Sequence, residues 1–252
     1  MELVFMVAGT TTISLAMKKV SVIDYYNTLA DKYDDMYTDK VSMCENDVFF
    51  DWLSRRRSEG RVLDAGCGTG IVLDYVVPTI VPGDYIGFDV SANMLMKARE
   101  KHPDYATRFI RHDMMSERIG WTSSFENVWC LFGVLTCLPS SYIPDAIAIL
   151  TSYVKDGGSL VLVPNGTRDP RERESSCHGK EKGFQSDFTL LPLGSWKLIL
   201  EAMGYDFSIM AFNTEGDKLE DEDLISESLT KDLEIEVEKD TECSFFVIEI
   251  RK

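Results

Sequence analysis

Short apolar runs alternate with stretches of helical periodicity from about residue 61 of this chain onward. Between two of these runs, Ile143, Ile147 and Leu150 recur at helical spacing, and Gly157 with Gly158 is predicted to end that helix. Strands that alternate with helices are typical of a parallel sheet covered by helices on both faces, so we expect a doubly wound α/β fold. The predicted strands are residues 62–65, 84–89, 108–114, 125–135 and 159–164.

Further elements are predicted near the two ends of the chain. Residues 20–37 carry apolar side chains at helical spacing, and residues 45–57 form a second helical pattern. Residues 205–212 and 243–250 are predicted as the sixth and seventh strands. The sheet is therefore expected to have seven strands.

Two charged segments interrupt this pattern. Residues 165–191 have weak periodicity, and Pro170 argues against a continuous helix there. We consider two interpretations of this segment, a solvated loop and a loop that binds a substrate carboxylate or phosphate. Residues 214–242 are very acidic. The side chains that would bind such an anion in the first segment are Arg168, Arg171, Arg173 and His178.

The overall charge limits the classes of partner. The chain of 252 residues has a net charge of −16, which argues against a nucleic-acid partner because phosphate binding needs clustered Lys and Arg. Its six cysteines form no C-x-x-C pair, and there are three histidines, so no metal site is expected. Reduced, widely spaced thiols are typical of a cytoplasmic protein.

The first sixteen residues are mostly apolar or small, but they do not resemble a signal peptide. Glu2 stands where a positive region would be, and Lys18 and Lys19 follow the apolar stretch instead of preceding it. We expect residues 1–16 to be an extension that the fold does not need, and no membrane association. A membrane anchor in this stretch is the alternative.

A glycine-rich run is the most informative local pattern. Residues 62–70 (VLDAGCGTG) combine a buried strand, a turn with three glycines and the start of a helix. The glycines let the backbone approach a ligand closely, and the helix start offers unpaired N–H groups. Asp89 ends the next strand about 19 residues after Gly70, a spacing at which an acid accepts hydrogen bonds from ribose hydroxyls. A ribose is common to NAD and to S-adenosylmethionine, so Asp89 alone does not separate the two.

The spacing of the glycines does favour one cofactor. Dinucleotide binders use G-x-G-x-x-G, whereas residues 64–70 read D-x-G-x-G-x-G. This run resembles the cofactor loop of class I S-adenosylmethionine-dependent methyltransferases, and residues 89–95 (DVSANML) resemble the family's D-x-S-x-x-M-L run. Residues 25–34 are similar to a Tyr…Leu-Ala…Tyr-Asp segment that forms a lid over the cofactor in the small-molecule members.

This resemblance implies a fold and a division of the chain. The fold would be Rossmann-like, a doubly wound, mostly parallel sheet of seven strands with the last strand antiparallel and an N-terminal helical lid. Residues 1–19 would be an extension, residues 20–60 the lid segment and residues 61–252 the cofactor-binding core. Within the core, residues 165–191 would shape the substrate pocket and residues 214–242 would be an acidic insertion.

The resemblance also implies a cofactor site at the ends of the first four strands of the core. Asp64 would lie near the ammonium of S-adenosylmethionine, Asp89 would bind its ribose and Asp113 its adenine amino group. His112 is adjacent, but a histidine at such a position more often faces solvent. The residues expected to contact the cofactor are Tyr25, Tyr33, Asp64, Gly66, Cys67, Gly68, Gly70, Asp89, Val90, Met94, Asp113, Met114, Leu131, Phe132 and Gly133.

The predicted function is therefore transfer of a methyl group from S-adenosylmethionine to a small-molecule acceptor by in-line displacement. Residues 131–134 (LFGV) replace the (Asn/Asp)-Pro-Pro-(Tyr/Phe) run of base-modifying relatives, which disfavours a nucleobase amine as acceptor. No residue is identified as a general base. Two alternatives remain open at this point, a NAD-dependent oxidoreductase and a regulatory protein that binds S-adenosylmethionine without turnover.

Overall fold

The computed structural model describes residues 18–38, 40–76, 80–116, 119–165, 175–181, 184–212 and 245–252. The extension at residues 1–16, the acidic residues 214–242 and the arginines Arg168, Arg171 and Arg173 lie outside these ranges. The helices are α1 (Val22–Leu29), α2 (Lys40–Arg56), α3 (Ile71–Val76), α4 (Ala92–Lys101), α5 (Ile143–Tyr153) and α6 (Leu193–Ala202). The strands are β1 (Lys18–Lys19), β2 (Val62–Ala65), β3 (Tyr85–Asp89), β4 (Phe109–Arg111), β5 (Phe125–Cys130), β6 (Val154–Leu162), β7 (Ser175–Glu181), β8 (Phe184–Leu190), β9 (Asp206–Phe212) and β10 (Phe245–Arg251).

The main sheet has seven strands in the order β4-β3-β2-β5-β6-β10-β9. The strands from β2 to β6 pair in parallel, and β10 pairs antiparallel with both β6 and β9. This arrangement confirms the predicted Rossmann-like sheet with an antiparallel last strand. The strand order changes direction between β2 and β5, which opens a crevice at the carboxyl ends of these two strands.

Apolar clusters cover both faces of the sheet. On one face, Ile147 of α5 and Trp196 of α6 are fully buried against the strands. On the other face, Phe49 and Leu53 of α2 pack with Leu73 of α3. Burial of apolar side chains on both faces explains why the strands are continuous apolar runs without alternation.

The end of α5 differs from the prediction. The helix ends at Tyr153, and Gly157 and Gly158 lie inside β6, which begins at Val154. The pairing of β5 with β6 is irregular between Phe125 and Asn127. A glycine pair inside a strand accommodates such an irregularity, so the pattern that predicted a helix end marks a bulge instead.

A second, three-stranded sheet combines β1 with two strands from the charged segment at residues 165–191. β7 and β8 form an antiparallel hairpin, and β1 pairs in parallel with β8. Phe188 of β8 packs edge-on against Tyr25 and Tyr26 of α1, with ring centroids 5.8 and 6.3 Å away. The hairpin therefore supports α1, which lies over the crevice of the main sheet. Across the described part of the chain, no helix is both long and apolar enough to cross a membrane.

Candidate active site

A cleft with a volume of about 240 Å³ lies between the carboxyl ends of β2 to β5 and the N-terminal segment. We call residues 22–37, which comprise α1 and the following turn and 3-10 helix, the N-terminal segment. The strand-end wall is formed by the lining residues within 64–72, 88–94, 112–114 and 131–132. We call the remaining lining residues the roof; they are Val22, Ile23, Tyr26, Tyr33, Val134, Cys137 and Leu138.

The glycine-rich loop after β2 forms the centre of the strand-end wall. The backbone N–H groups of Gly66 and Cys67 donate to the Phe88 carbonyl at 2.8 and 2.9 Å, which holds the loop against β3. A Cβ on Gly66 would lie 2.5 Å from Val134, whereas a Cβ on Gly68 would meet no atom within 4 Å. Gly66 is therefore required by packing inside the protein, and Gly68 borders the open cleft.

Asp64 places a carboxyl group at the base of the cleft. The residue is 2% exposed, and the Tyr85 hydroxyl donates to its Oδ2 at 2.8 Å. Burial raises the pKa of Asp64 to about 7; the Tyr85 hydrogen bond opposes this rise, and the charge of Asp89 adds to it. A carboxyl group with this pKa changes its charge readily when a cation binds beside it.

Asp89 ends β3 and is held by two backbone N–H groups. Gly68 donates to its Oδ2 at 3.0 Å, and Ser91 donates to its Oδ1 at 2.7 Å. Burial raises the pKa of Asp89, and these backbone hydrogen bonds partly offset that rise. The carboxylate is thus fixed in orientation at the edge of the cleft.

Asp113 and Met114 follow β4 and line the same wall. The Asp113 Oδ1 accepts a hydrogen bond from the Met115 N–H at 2.9 Å. The strand-end wall therefore carries three carboxyl groups, each at the end of a different parallel strand. Among the described residues that line the cleft there is no Lys or Arg.

The roof is mainly apolar and has few polar groups. The Cys137 thiol lies 3.7 Å from the Tyr26 hydroxyl, and the Tyr33 hydroxyl is hydrogen-bonded to Tyr37. Burial raises the pKa of Tyr26 and of Tyr33 well above that of an ordinary phenol. Both phenols therefore remain protonated and can donate hydrogen bonds, but they cannot act as bases near neutral pH.

Most of the residues that the sequence predicted for the site lie together along the cleft. They are Tyr33, Asp64, Gly66, Cys67, Gly68, Asp89, Val90, Met94, Asp113, Met114, Leu131 and Phe132.

Three predicted residues are not among those that line the cleft. Tyr25 lies in α1 with its side chain buried against Phe188, because adjacent helical residues point about 100° apart and Tyr26 takes the cleft side. A Cβ on Gly70 would face His102 and Phe109 at 3.1 Å, and one on Gly133 would face the Asn165 Oδ1 at 2.6 Å. These two glycines therefore serve packing between elements.

Sequence reasoning missed several lining residues. Tyr26 belongs to the apolar stripe of residues 20–37, so its helical spacing could have predicted it as a lining residue. Val134 and Cys137 lie around a 3-10 turn after β5 that has no periodicity to reveal it. His112 lines the cleft, and its ring packs against Phe88 with centroids 5.2 Å apart. The backbone of His178 lies in β7.

Comparisons with known proteins agree with this architecture. A family model described as "Methyltransferase domain" matches residues 62–158, which run from β2 into β6. A comparison with curated protein sequences found no match. Among solved structures, DesVI from Streptomyces venezuelae has a TM-score of 0.59 at 17% identity, over 88% of this chain and 98% of that one.

Two further solved structures show similar agreement. The complex titled "DhpI-SAM-HEP" has a TM-score of 0.62 at 17% identity, over 91% of this chain and 95% of that one. CalS10, described as an amino pentose methyltransferase from Micromonospora echinaspora, has a TM-score of 0.56 at 17% identity, over 89% of this chain and 97% of that one. Residues 62–158 thus match a methyltransferase domain model, and the chain shares the fold of these solved structures, as its motifs predicted.

Proposed function

We propose that this chain transfers a methyl group from S-adenosylmethionine to a small-molecule acceptor bound in the cleft. The observation that carries this proposal is the convergence of an open glycine turn and three strand-end carboxyl groups on one cleft. The methyltransferase domain match supports it. Two similar structures, a SAM complex of DhpI and SAM-bound CalS10, support the choice of cofactor.

The residues of the strand-end wall fit such a cofactor. The open space beside Gly68 leaves room for a ligand to approach the backbone of the turn. By the family resemblance, Asp64 would face the ammonium group, Asp89 the ribose hydroxyls and Asp113 the adenine amino group. Each of these ligand groups is a hydrogen-bond donor, which matches a carboxylate acceptor.

The same wall disfavours a dinucleotide. A pyrophosphate would bring two negative charges toward Asp64 and Asp89, and no described lining residue is a Lys or Arg that would neutralise them. The glycine spacing argues in the same direction. Both observations favour methyl transfer over a NAD-dependent oxidoreductase function.

When bound, the cofactor supplies an electrophilic methyl group on a sulfonium sulfur. The roof residues would hold the acceptor and exclude water, and the Tyr26 hydroxyl is the group best placed to hydrogen-bond it. Positioning and exclusion of water can provide most of the acceleration when the acceptor is already a good nucleophile.

We expect the acceptor to be an amine with an apolar portion. Val22, Ile23 and Leu138 give the roof its apolar character. An uncharged amine has a reactive lone pair and needs no base in the roof, which suits phenols that stay protonated. The names of two similar structures, an amino pentose methyltransferase and a glycopeptide N-methyltransferase, point to the same acceptor class.

The proposal is tested with methyl-tritiated S-adenosylmethionine and a small-molecule extract. The wild type should transfer label to at least one amine in the extract. The Asp89→Ala variant should transfer it about a hundredfold more slowly at limiting cofactor, because two charge-assisted hydrogen bonds are lost.

The matched control is Asp104→Ala, which removes an exposed carboxylate outside the cleft and should transfer label at the wild-type rate. If the wild type binds S-adenosylhomocysteine but labels nothing, the chain is a regulatory binder and not a transferase. If the two variants behave alike, Asp89 does not have the proposed role.

A further inference from the structure

The N-terminal segment is attached to the strand-end wall at two separate points. At its far end, the Asp34 Oδ1 accepts from the Thr69 hydroxyl at 2.5 Å, and the Asp34 Oδ2 accepts from the Lys101 ammonium at 2.8 Å. Lys101 also pairs with Asp74 at 2.6 Å. Burial lowers the pKa of Lys101, but the hydrogen bonds that its ammonium donates to Asp34 and Asp74 outweigh this effect and raise the pKa, so the cation stays charged.

The second attachment lies in α1. The Asn27 Oδ1 accepts from the Ser91 hydroxyl at 2.8 Å and from the Asn93 N–H at 3.2 Å. The Asn93 side-chain amide also donates a hydrogen bond to the Asn27 backbone carbonyl at 2.9 Å. Ser91 is fully buried, and its Oγ also accepts the Met94 N–H as the N-cap of α4.

Both attachments reach the residues that orient Asp89. Backbone N–H groups of Gly68 and Ser91 donate to its carboxylate. Asp34 binds Thr69, which directly follows Gly68, and Asn27 binds Ser91 itself. The contacts of the segment and the hydrogen bonds that orient the Asp89 carboxylate therefore involve the same two short stretches of backbone.

We propose that Asn27 and Asp34 form a two-point latch that couples closure of the N-terminal segment to the position of Asp89. They are positioning residues for the cofactor, and this inference rests on the proposed function. Because energetic coupling between two events is reciprocal, bound cofactor stabilises the closed segment, and the closed segment slows release of the cofactor.

A contact between the segment and α4, outside the strand-end wall, provides a matched control. Asp31 pairs with Lys97 at 3.0 Å, but their side chains are 74% and 33% exposed, and neither lines the cleft. An exposed ion pair of this kind contributes little. Asp31→Asn converts a carboxylate of the same segment to an amide, as Asp34→Asn does, but leaves the hydrogen bonds to Thr69 and Ser91 in place.

The experiment measures release of S-adenosylhomocysteine from the full chain by stopped-flow, for the wild type and for Asp34→Ala, Asp34→Asn, Asn27→Ala and Asp31→Asn. Asp34→Ala and Asn27→Ala should each release the ligand about tenfold faster, since each loses hydrogen bonds near the ligand. Asp34→Asn keeps an oxygen for Thr69 and should give an intermediate rate. Asp31→Asn should match the wild type.

Hydrogen exchange adds a measurement that a general loss of stability would not reproduce. In the wild type, S-adenosylhomocysteine should slow amide exchange within residues 22–37, and this ligand-dependent protection should be reduced in Asp34→Ala and Asn27→Ala. Equal release rates in all variants, or equal exchange of this segment with and without ligand, would overturn the latch. If the wild type does not bind S-adenosylhomocysteine, the proposed function fails, and the latch fails with it.

Discussion

The strand-end wall and the roof of the cleft are built from different chemistry. The wall presents three carboxyl groups and the backbone of a glycine turn, all at the ends of neighbouring parallel strands. The roof presents apolar side chains with the Tyr26 hydroxyl and the Cys137 thiol as a close polar pair. We infer from this difference that the wall suits a polar ligand with many hydrogen-bond donors, whereas the roof suits a less polar one.

The largest effect is expected inside the wall, where Gly66 and Gly68 can be compared. Both have positive φ, but Gly66→Ala would also force a methyl group to within 2.5 Å of Val134. We expect Gly66→Ala to lower the free energy of unfolding by about 2–4 kcal/mol. Gly68→Ala should lower it by about 1 kcal/mol, because its new methyl group would point into open space.

Denaturant titration of the two variants, with S-adenosylhomocysteine affinity measured in parallel, checks this contrast. Gly68→Ala should bind S-adenosylhomocysteine much more weakly than the wild type does, although its loss of stability is small. Equal losses of stability in both variants would show that the two glycines do not have separate roles.

A pH dependence is expected from Asp64 at the base of the wall. Its pKa in the folded, ligand-free protein is about 7, above its ordinary value of 3.8. The folded state therefore binds this proton more tightly than the unfolded state, and the group's contribution to stability is lost as pH rises from about 4 to about 7. A ligand ammonium beside Asp64 favours the ionised form, so ligand affinity should rise with pH over the upper part of this range.

Calorimetry with S-adenosylhomocysteine at about pH 6 and about pH 8 measures this effect. Below the pKa of Asp64, the affinity should rise by at most about tenfold per pH unit. The Asp64→Asn variant should bind more weakly and lose most of the pH dependence. A wild-type affinity that is constant over this range would mean that Asp64 does not face the cation.

The smallest effect is expected in the roof. Tyr26→Phe removes one hydroxyl group and keeps the ring that packs against Phe188. We expect kcat/KM for the acceptor to fall about fivefold, the effect of one hydrogen bond of about 1 kcal/mol, with the affinity for S-adenosylhomocysteine unchanged. Tyr142→Phe, at a side chain that is 50% exposed outside the cleft, is the matched control. If the affinity for S-adenosylhomocysteine falls as well, Tyr26 contacts the cofactor and not the acceptor.

The contrast between wall and roof also explains how much the sequence could predict. Asp64, Gly66 and Gly68 lie within one local motif, and Asp89 and Asp113 end apolar strands whose pairing follows from the alternation of strands with helices. The wall could therefore be assembled from short-range patterns.

The roof could not be assembled in the same way, because its parts come from distant segments. Tyr26 contacts Cys137, and the elements that carry both residues contact β8, which lies in a charged segment whose sequence predicted a loop. Choosing between Tyr25 and Tyr26 required the direction of α1, which tertiary packing against Phe188 determines. Long-range contacts of this kind leave no periodic trace in a single sequence.

The central claim is that the strand-end wall binds S-adenosylmethionine and not a dinucleotide. Isothermal titration calorimetry of the full chain with S-adenosylhomocysteine and, separately, with NAD tests it most directly. We predict one S-adenosylhomocysteine bound per chain, with a Kd on the order of micromolar, and no heat of binding with NAD. Binding of NAD without binding of S-adenosylhomocysteine would contradict the account.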